Sequence, residues 1–483
     1  MNSHILRRRP GCFLLLGIWI CSVLGCNFSG RDRTPPQIKL TIQNTLPIER
    51  LNVPIVLTLE ELRSVASDFS FDIFLVNPSQ RGPEIHSQTD DTDYDGKKDE
   101  LIFLVDLAPR ETKEVSILYE PRDGANYRTP LTLEFPKRTR SGIFPELNGF
   151  AALESESIAY VLHDDGSTQA YGKRKKLLFT IEPHFQNELE YRNAVSPELR
   201  QAFEKNGVGL SRNITVEIQT PESDWVIIDQ QSKQKFSVRK EENQLNVYNA
   251  KELSIDRFIG RTDGAYDDDP DIMTALTPSH GLIGCGGFAL WDKISQGLIA
   301  PTHENDYTRV LSDGPIRSIV QRIIPNFPLN TGTIQLTSTT MIYAGHQWGE
   351  HHIEAPGLTS RYCIAAGVPT DGYSLGENAT EGWLWTRNQP ALTSPPSKLD
   401  MGIVFPPDRF ETFKELVSTK SDTKTYTALM NPSDNGRLVY RFACVWKTDE
   451  IKAEADVHQF VQFSAADFRT PPVITFLPQS SKR

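Results

Sequence analysis

Thr333-Ile334-Gln335-Leu336-Thr337-Ser338-Thr339-Thr340-Met341-Ile342-Tyr343 decides the fold class. Read with a period of two, it places Ile334, Leu336, Ser338, Thr340 and Ile342 on one face. Successive side chains of an extended backbone point to opposite sides, so this is the pattern of a half-buried strand. The same alternation recurs at Ile38, Leu40 and Ile42 in QIKLTIQ and at Val115, Ile117 and Tyr119 in KEVSILYE. Helix signals are few. Thr58-Leu59-Glu60-Glu61 has capping-box spacing ahead of ELRSVAS. Ser196-Pro197, then ELRQAFEK, then Asn206-Gly207 supplies a start cap and a left-handed stop for a second short helix. No internal repeat interrupts this reading, and the chain is expected to be mostly β.

The sequence has 483 residues, a length that suggests about three domains. A boundary falls near Glu120 to Thr129, where EPRDGANYRT clusters turn-forming residues. It separates an N-terminal β unit over 37–125 from a long β-rich region over 126–475. Lys plus Arg number 51 and Asp plus Glu 62, a net charge of −11. With no basic block after residue 9, the chain lacks the cationic footprint of a nucleic-acid binder.

The N-terminus points to export. Arg7-Arg8-Arg9 is a positive n-region, and Cys12 to Leu24 is an apolar h-region too short to span a bilayer comfortably. Val23-Leu24-Gly25-Cys26 resembles a bacterial lipobox, in which the cysteine is lipidated and becomes the first mature residue. An ordinary signal peptide with a chance cysteine is the other reading. The lipobox makes residues 1–25 a lipoprotein signal peptide, Cys26 the lipidated residue and 26–36 a polar tether. The lipid anchor would place the protein in the cell envelope, on the outer membrane or the periplasmic face. Asn27 lacks the charge of the usual inner-membrane retention cue. No later stretch reaches about 18 apolar residues, so the rest is expected to be soluble. Cys285, Cys363 and Cys444 remain after processing, and their apolar neighbours predict buried thiols.

Asp91-Thr92-Asp93-Tyr94-Asp95-Gly96-Lys97-Lys98-Asp99-Glu100 is the first motif with chemistry. Carboxylates at positions 1, 3 and 5, followed by Gly, wrap oxygens around a hard cation. Ile102 stands where an EF-hand needs an acid, so Asp91, Asp93, Asp95 and Asp99 are closer to the shorter calcium loops of extracellular repeats. The two readings are a structural calcium site and a solvated acidic hairpin loop.

Histidine supplies the second signal. Five of the ten lie between His280 and His352, three of them in Gly345-His346-Gln347-Trp348-Gly349-Glu350-His351-His352. If the preceding strand continues, His346, Trp348, Glu350 and His352 share one face, about 7 Å apart in succession. Imidazoles and a carboxylate so placed suit acid–base work, and an indole suits stacking on a sugar ring. The same face suits a transition metal, and a polar strand end is the alternative. Gly345 and Gly349 are able to shift the register.

The middle of the chain resembles a known family. Gly284-Cys285-Gly286-Gly287-Phe288-Ala289-Leu290-Trp291-Asp292 is followed by Arg309-Val310-Leu311-Ser312-Asp313-Gly314-Pro315-Ile316-Arg317. Together they are similar to the GxGGxALW and GPIR segments of domain of unknown function 4861. The Asp-Gly loop before Glu100-Leu101-Ile102-Phe103 and the late segment Tyr440 to Trp446 look like further parts of it. The resemblance implies a secreted bacterial protein associated with polysaccharide utilisation. It implies a β-supersandwich of galactose-mutarotase type, here carrying a small N-terminal β-sandwich unit. With the export signal it makes the protein an envelope lipoprotein acting on carbohydrate. It is expected to be an enzyme on uronate- or rhamnose-containing oligosaccharides, a lyase, dehydratase or hydrolase; a non-catalytic glycan-binding lipoprotein is the competing class. His280, His303, Tyr307, His346, Glu350 and His352 are the candidate catalytic residues. Arg317, Trp348 and Trp291 are the candidates for binding substrate, the arginine through a uronate carboxylate.

Overall fold

The computed structural model describes residues 36–77, 84–120, 135–144, 150–173, 178, 214–218, 224–229, 235–241, 244–251, 254–261, 273–275, 283–302, 305–370, 374–390, 398–417, 424–446 and 454–478. The protein is mostly β, in several antiparallel sheets. Strand Gly332–Tyr343 sits inside an eight-stranded sheet. Its sheet neighbours are Arg317–Leu329 and Trp348–Glu354. Beyond Arg317–Leu329 lies Tyr307–Asp313, at the edge of the sheet. Beyond Trp348–Glu354 lie Arg437–Trp446, Lys398–Val404, Trp383–Pro390 and Ser374–Asn378.

The opposing layer is made of two five-stranded sheets. One runs from Thr139–Phe144 through Phe150–Ser155, Ile158–Leu162 and Thr168–Lys173 to Met273–Ala275. The other holds Gly297–Ile299, Phe288–Asp292, Tyr362–Pro369, Lys424–Met430 and Phe410–Val417. An isolated bridge between Thr168 and Gly284 joins them. Gly284 has φ +68 there, and a Cβ on it would lie 2.3 Å from the Thr168 carbonyl oxygen. The glycine is what lets the two backbones meet. One continuous apolar core, including Tyr160, Phe288, Leu336, Ile353, Ile364 and Phe442, fills the space between the layers. This is a supersandwich. Cys285, Cys363 and Cys444 are buried free thiols within these layers.

The N-terminal unit is a smaller sandwich. Strands Arg50–Thr58, Glu100–Leu107 and Ser87–Asp90 form one sheet. Gln37–Gln43, Thr112–Tyr119 and Phe74–Asn77 contribute to the other. The fourth strand of that second sheet is Val473–Phe476, paired antiparallel to Gln37–Gln43. The end of the chain thus returns to complete the N-terminal unit. Helix Leu59–Val65 carries the expected capping box, with Thr58 Oγ1 accepting from the Glu61 N–H. A long helix, Glu454–Arg469, lies against the outer side of the large sheet through Val461 and Ala465. Residues 214–261 contribute a separate five-stranded antiparallel meander. The helix expected after Ser196 lies outside the described residues. Among the described residues, no helix is long and apolar enough to cross a membrane.

Candidate functional site

The strand does not continue through the histidine segment. Gly345, at φ +79, turns the chain, and the next strand begins at Trp348. From there the alternation holds. Trp348, Glu350 and His352 point to the outer face of the large sheet, while His351 and Ile353 point into the sandwich. His346 joins the outer group from the turn, its ring centroid 4.5 Å from that of Trp348. Its Nε2 donates to the Asn52 carbonyl at 2.8 Å.

This outer group is closed rather than open. The Arg441 guanidinium lies 4.0 Å over the Trp348 ring, so the indole is held between a cation and an imidazole. Trp348 is 6% exposed. Arg441 Nε donates to Glu350 at 2.9 Å and Nη1 to Asp467 at 2.7 Å, and Asp467 also pairs with Arg50 of the N-terminal unit. His352 Nε2 donates to the other Glu350 oxygen at 2.8 Å. Burial opposes a charge on Glu350, but Arg441 and the His352 hydrogen bond hold its carboxyl down at about 2. Burial holds the His346 ring neutral, with a pKa of about 4.

Arg317 is buried and fully engaged. Its Nε donates to Asp90 at 2.8 Å and its Nη2 to Glu100 at 2.6 Å. The Gln88 carboxamide oxygen accepts from the Ile316 and Arg317 N–H groups. The expected substrate carboxylate is thus replaced by two carboxylates of the N-terminal unit, and the guanidinium is a joint between the two units. Trp291 is likewise unavailable for stacking: it is 3% exposed, with Lys414 Nζ 4.2 Å over its ring. Tyr307 opens the edge strand and is 50% exposed on the outer face. His280 and His303 lie outside the described residues.

The inner face carries a different group. Ser338 and Thr340 share their face with Leu336 and Ile342, yet they line a cavity instead of filling the core. The registers pair Thr308 with Arg322 and Arg322 with Ser338 in one row, and Val320 with Thr340 and Thr340 with His351 in the next. The hairpin from His163 to Thr168 closes the other side, and the cavity measures about 40 Å³. His351 Nδ1 is 2.8 Å from the Tyr440 hydroxyl. That hydroxyl donates its proton to the Gly286 carbonyl at 2.9 Å, so it accepts from His351 and Nδ1 carries the hydrogen. The Nε2 lone pair then faces Ser338 Oγ, 2.6 Å away. Burial keeps this ring neutral, its pKa down at about 3. Thr340 Oγ1 is buried with no hydrogen-bond partner. Arg322 lines the same cavity, donating to Asp306 at 2.6 Å and to the Asp164 carbonyl at 2.7 Å. The oriented lone pair accepts the Ser338 hydroxyl hydrogen beside further hydroxyls and a guanidinium, and a ring held this low takes a full proton only when negative charge on a bound substrate raises it. The histidine cluster signalled His351 only as a neighbour. The sharper signal was two hydroxyl residues in the middle of an apolar strand face.

The Asp-Gly loop gathers three of its four candidates. Ligand oxygens of Asp91, Asp93 and Asp99 lie within 4.8 Å of one another. Asp91 is held by the N–H groups of Tyr94, Asp95 and Gly96, and Asp99 by Thr92. Asp95 turns instead to Lys97 Nζ, 2.7 Å away, which lowers its pKa. Three convergent carboxylates fit a hard divalent cation.

No curated protein matches the chain. Among solved structures, an alpha-mannosidase from Enterococcus faecalis V583 is similar at 9% identity and a TM-score of 0.40, over 92% of this chain and 46% of that one. A protein in the glycosyl hydrolase family 38 from Enterococcus faecalis gives 9% identity and a TM-score of 0.41, over 91% and 47%. The chain spans less than half the length of either. A family model matches residues 42–145 and 282–474, which take in the Asp-Gly loop, the glycine segment before Phe288 and the large-sheet strands that line the cavity, but not the hairpin that closes its other side. The chain belongs to the family described as Domain of unknown function (DUF4861).

Proposed function

We propose that this protein acts on carbohydrate in the cell envelope, as an acid–base enzyme whose reacting group is His351. The observation that carries the reading is the 2.6 Å contact between His351 Nε2 and Ser338 Oγ, with Nδ1–H fixed by Tyr440. His351 is the general base, and Ser338 relays the proton or is itself activated. The lining hydroxyls of Ser338, Thr340 and Thr308 suit the hydroxyl groups of a sugar, beside Arg322, whose guanidinium Asp306 holds in the cavity wall. The cavity admits the reacting substituents of a sugar, and lyase, dehydratase or hydrolase chemistry on uronate- or rhamnose-containing oligosaccharides is the reaction class. Incubating the protein with a panel of polyuronides and oligosaccharides, read by mass spectrometry, tests this. Loss of one water from the substrate means dehydratase, gain of one means hydrolase, and an unsaturated product pair means lyase. Binding without any product favours the non-catalytic glycan-binding lipoprotein and sinks the enzyme reading.

The envelope location rests on Val23-Leu24-Gly25-Cys26. Cys26→Ser is expected to release the protein from membranes or to block its processing. A variant that fractionates and matures like wild type removes the lipid anchor. Calcium at Asp91, Asp93 and Asp99 is a structural part of the proposal, supported by the convergence of their oxygens.

A further inference from the structure

The outer face of the large sheet has a side that the N-terminal unit leaves uncovered. Three registers align Arg309 with Gln321, Gln321 with Thr339 and Thr339 with His352. These side chains form a ladder across four strands: Arg309 Nε donates to the Gln321 carboxamide oxygen at 2.9 Å, and Gln321 Nε2 donates to Thr339 Oγ1 at 3.1 Å. Tyr307 precedes Arg309 by two residues on the same edge strand, so it stands on the same side, about 7 Å along. At the same end the Asp-Gly loop reaches over, with Arg309 lying 4.8 Å from the ring centroid of Tyr94.

Tyr94 is an unusual residue. Its φ is +69, a backbone region unfavourable for a bulky side chain, and its ring is 60% exposed. Packing does not explain it, because one face of the ring is held by a guanidinium and the rest meets water. Tyr307, two residues before Arg309 on the edge strand, is 50% exposed. Two exposed aromatic faces, one of them held rigid by Arg309, border a row of amide, hydroxyl and imidazole groups. Sugar rings have an apolar face and a rim of hydroxyls, and they match both halves of this surface. A site on an open sheet face takes a chain passing across it, whereas a buried cavity takes a single group.

We propose that Tyr94, Tyr307, Arg309, Gln321 and Thr339 form a second carbohydrate site, a platform for an extended polysaccharide strand, on the face of the sheet opposite the His351 cavity. The carbohydrate class rests on the proposed function; the place of the site does not. The platform holds the polymer while the cavity on the inner face acts on shorter pieces.

Electrophoresis of the full chain through gels containing polygalacturonate, xylan or laminarin tests this. The wild type is expected to be retarded by at least one polymer. Tyr307→Ala and Tyr94→Gly are each expected to weaken that retardation about three- to tenfold, the contribution of one aromatic face. Tyr94→Gly should not lower the melting temperature, since glycine tolerates the positive φ, so a loss of binding is not a loss of fold. His351→Gln should be retarded like wild type. The platform is overturned if no gel retards the wild type, or if both tyrosine variants migrate as the wild type does. Turnover of short oligosaccharides without polymer retardation would sink the platform and leave the cavity reading standing. Retardation without turnover of any substrate would do the reverse.

Discussion

His351 and His352 are neighbours in sequence and lie on opposite faces of one sheet, and the two faces treat their polar groups differently. The outer face is covered by a second folded unit and a helix that bring their own charges. Every charged group of the Trp348 cluster there has a counterpart: Glu350 has Arg441, Asp467 has Arg50, and Arg317 has Asp90 and Glu100. The inner face is covered by a layer whose hairpin brings His163, Asp164, Ser167 and Thr168 to the cavity wall, yet Thr340 is left with a buried hydroxyl that nothing satisfies. Complete pairing marks a joint, because buried charges are tolerated only when matched. Incomplete pairing beside a cavity marks a place prepared for something else.

The largest effect that would test this contrast is on rate. His351→Gln should lower turnover of any substrate found by about 10²–10⁴-fold, the usual contribution of a general base. His352→Gln should change it far less, since its ring serves Glu350 on the far side of the sheet. Steady-state kinetics of the two variants, with melting temperatures to check folding, decide it. Equal losses would mean that the two faces do not divide the work as argued.

Next in size is the joint. Arg317→Met removes the cation between Asp90 and Glu100 and leaves two carboxylates facing each other where the arginine was buried. Breaking a buried pair from one side costs about 3–5 kcal/mol. Urea denaturation should show that loss, and substrate affinity should not depend on the charge of the substrate in the residual folded enzyme. A variant as stable as wild type but selectively poor on acidic sugars would return Arg317 to the substrate.

Much of the fold was legible in the sequence because it depends on local alternation. QIKLTIQ, KEVSILYE and TIQLTSTTMIY all became strands. The capping box at Thr58 formed as spaced. What was not legible depends on contacts far apart in the chain. Nothing near Arg317 announces that Asp90, 227 residues earlier, will take its guanidinium. Nothing in VITF says that it will pair with Gln37–Gln43 at the other end of the protein. The histidine cluster was visible, but a single turn at Gly345 decided which histidine faced which way. Ser338 and Thr340 were visible too, on a face otherwise made of Ile and Leu. Their hydroxyls cost free energy in a filled core, so they indicated that this part of the core is hollow.

The buried imidazoles and the buried carboxylate should also separate by pH. His351 and His346 are held neutral by burial, at about 3 and about 4, against about 6.5 in an unfolded chain. Between those values the unfolded state binds more protons, so stability is full above pH 6.5 and falls as the pH drops. At pH 4.5 each ring should have cost about 2.6 kcal/mol relative to pH 7.5, about 5 kcal/mol for the two. Glu350 behaves otherwise: its contribution is present above about 4.5 and is lost only as the pH falls toward 2. Urea denaturation at pH 7.5 and pH 4.5 should therefore show a loss that His351→Phe reduces and Glu350→Gln does not. If Glu350→Gln removes the loss instead, the charge pairing on the outer face has been misjudged.

The smallest effect concerns the loop that ties the N-terminal unit to the outer face. Asp90 and Glu100, which flank it, both hold Arg317, and Tyr94 at its tip meets Arg309. A cation among Asp91, Asp93 and Asp99 binds the native state alone, and at a hundredfold excess over Kd it adds about 2.7 kcal/mol. Wild type should therefore melt higher in calcium than in chelator. Asp93 is the informative position, because it is exposed and its carboxylate accepts only one backbone N–H, from Asp95, whereas Asp91 accepts three. Asp93→Asn should abolish the calcium response with little damage to the loop. In chelator the same variant should be as stable as wild type or slightly more so, because three like charges within 4.8 Å repel when no cation is present. Asp95→Asn should keep most of the response, since that carboxylate already serves Lys97. The sign reversal of Asp93→Asn between the two buffers is what a cation site requires and a solvated acidic loop cannot give. A wild-type melting curve that is identical in calcium and in chelator would reduce the loop to a hydrogen-bonded turn.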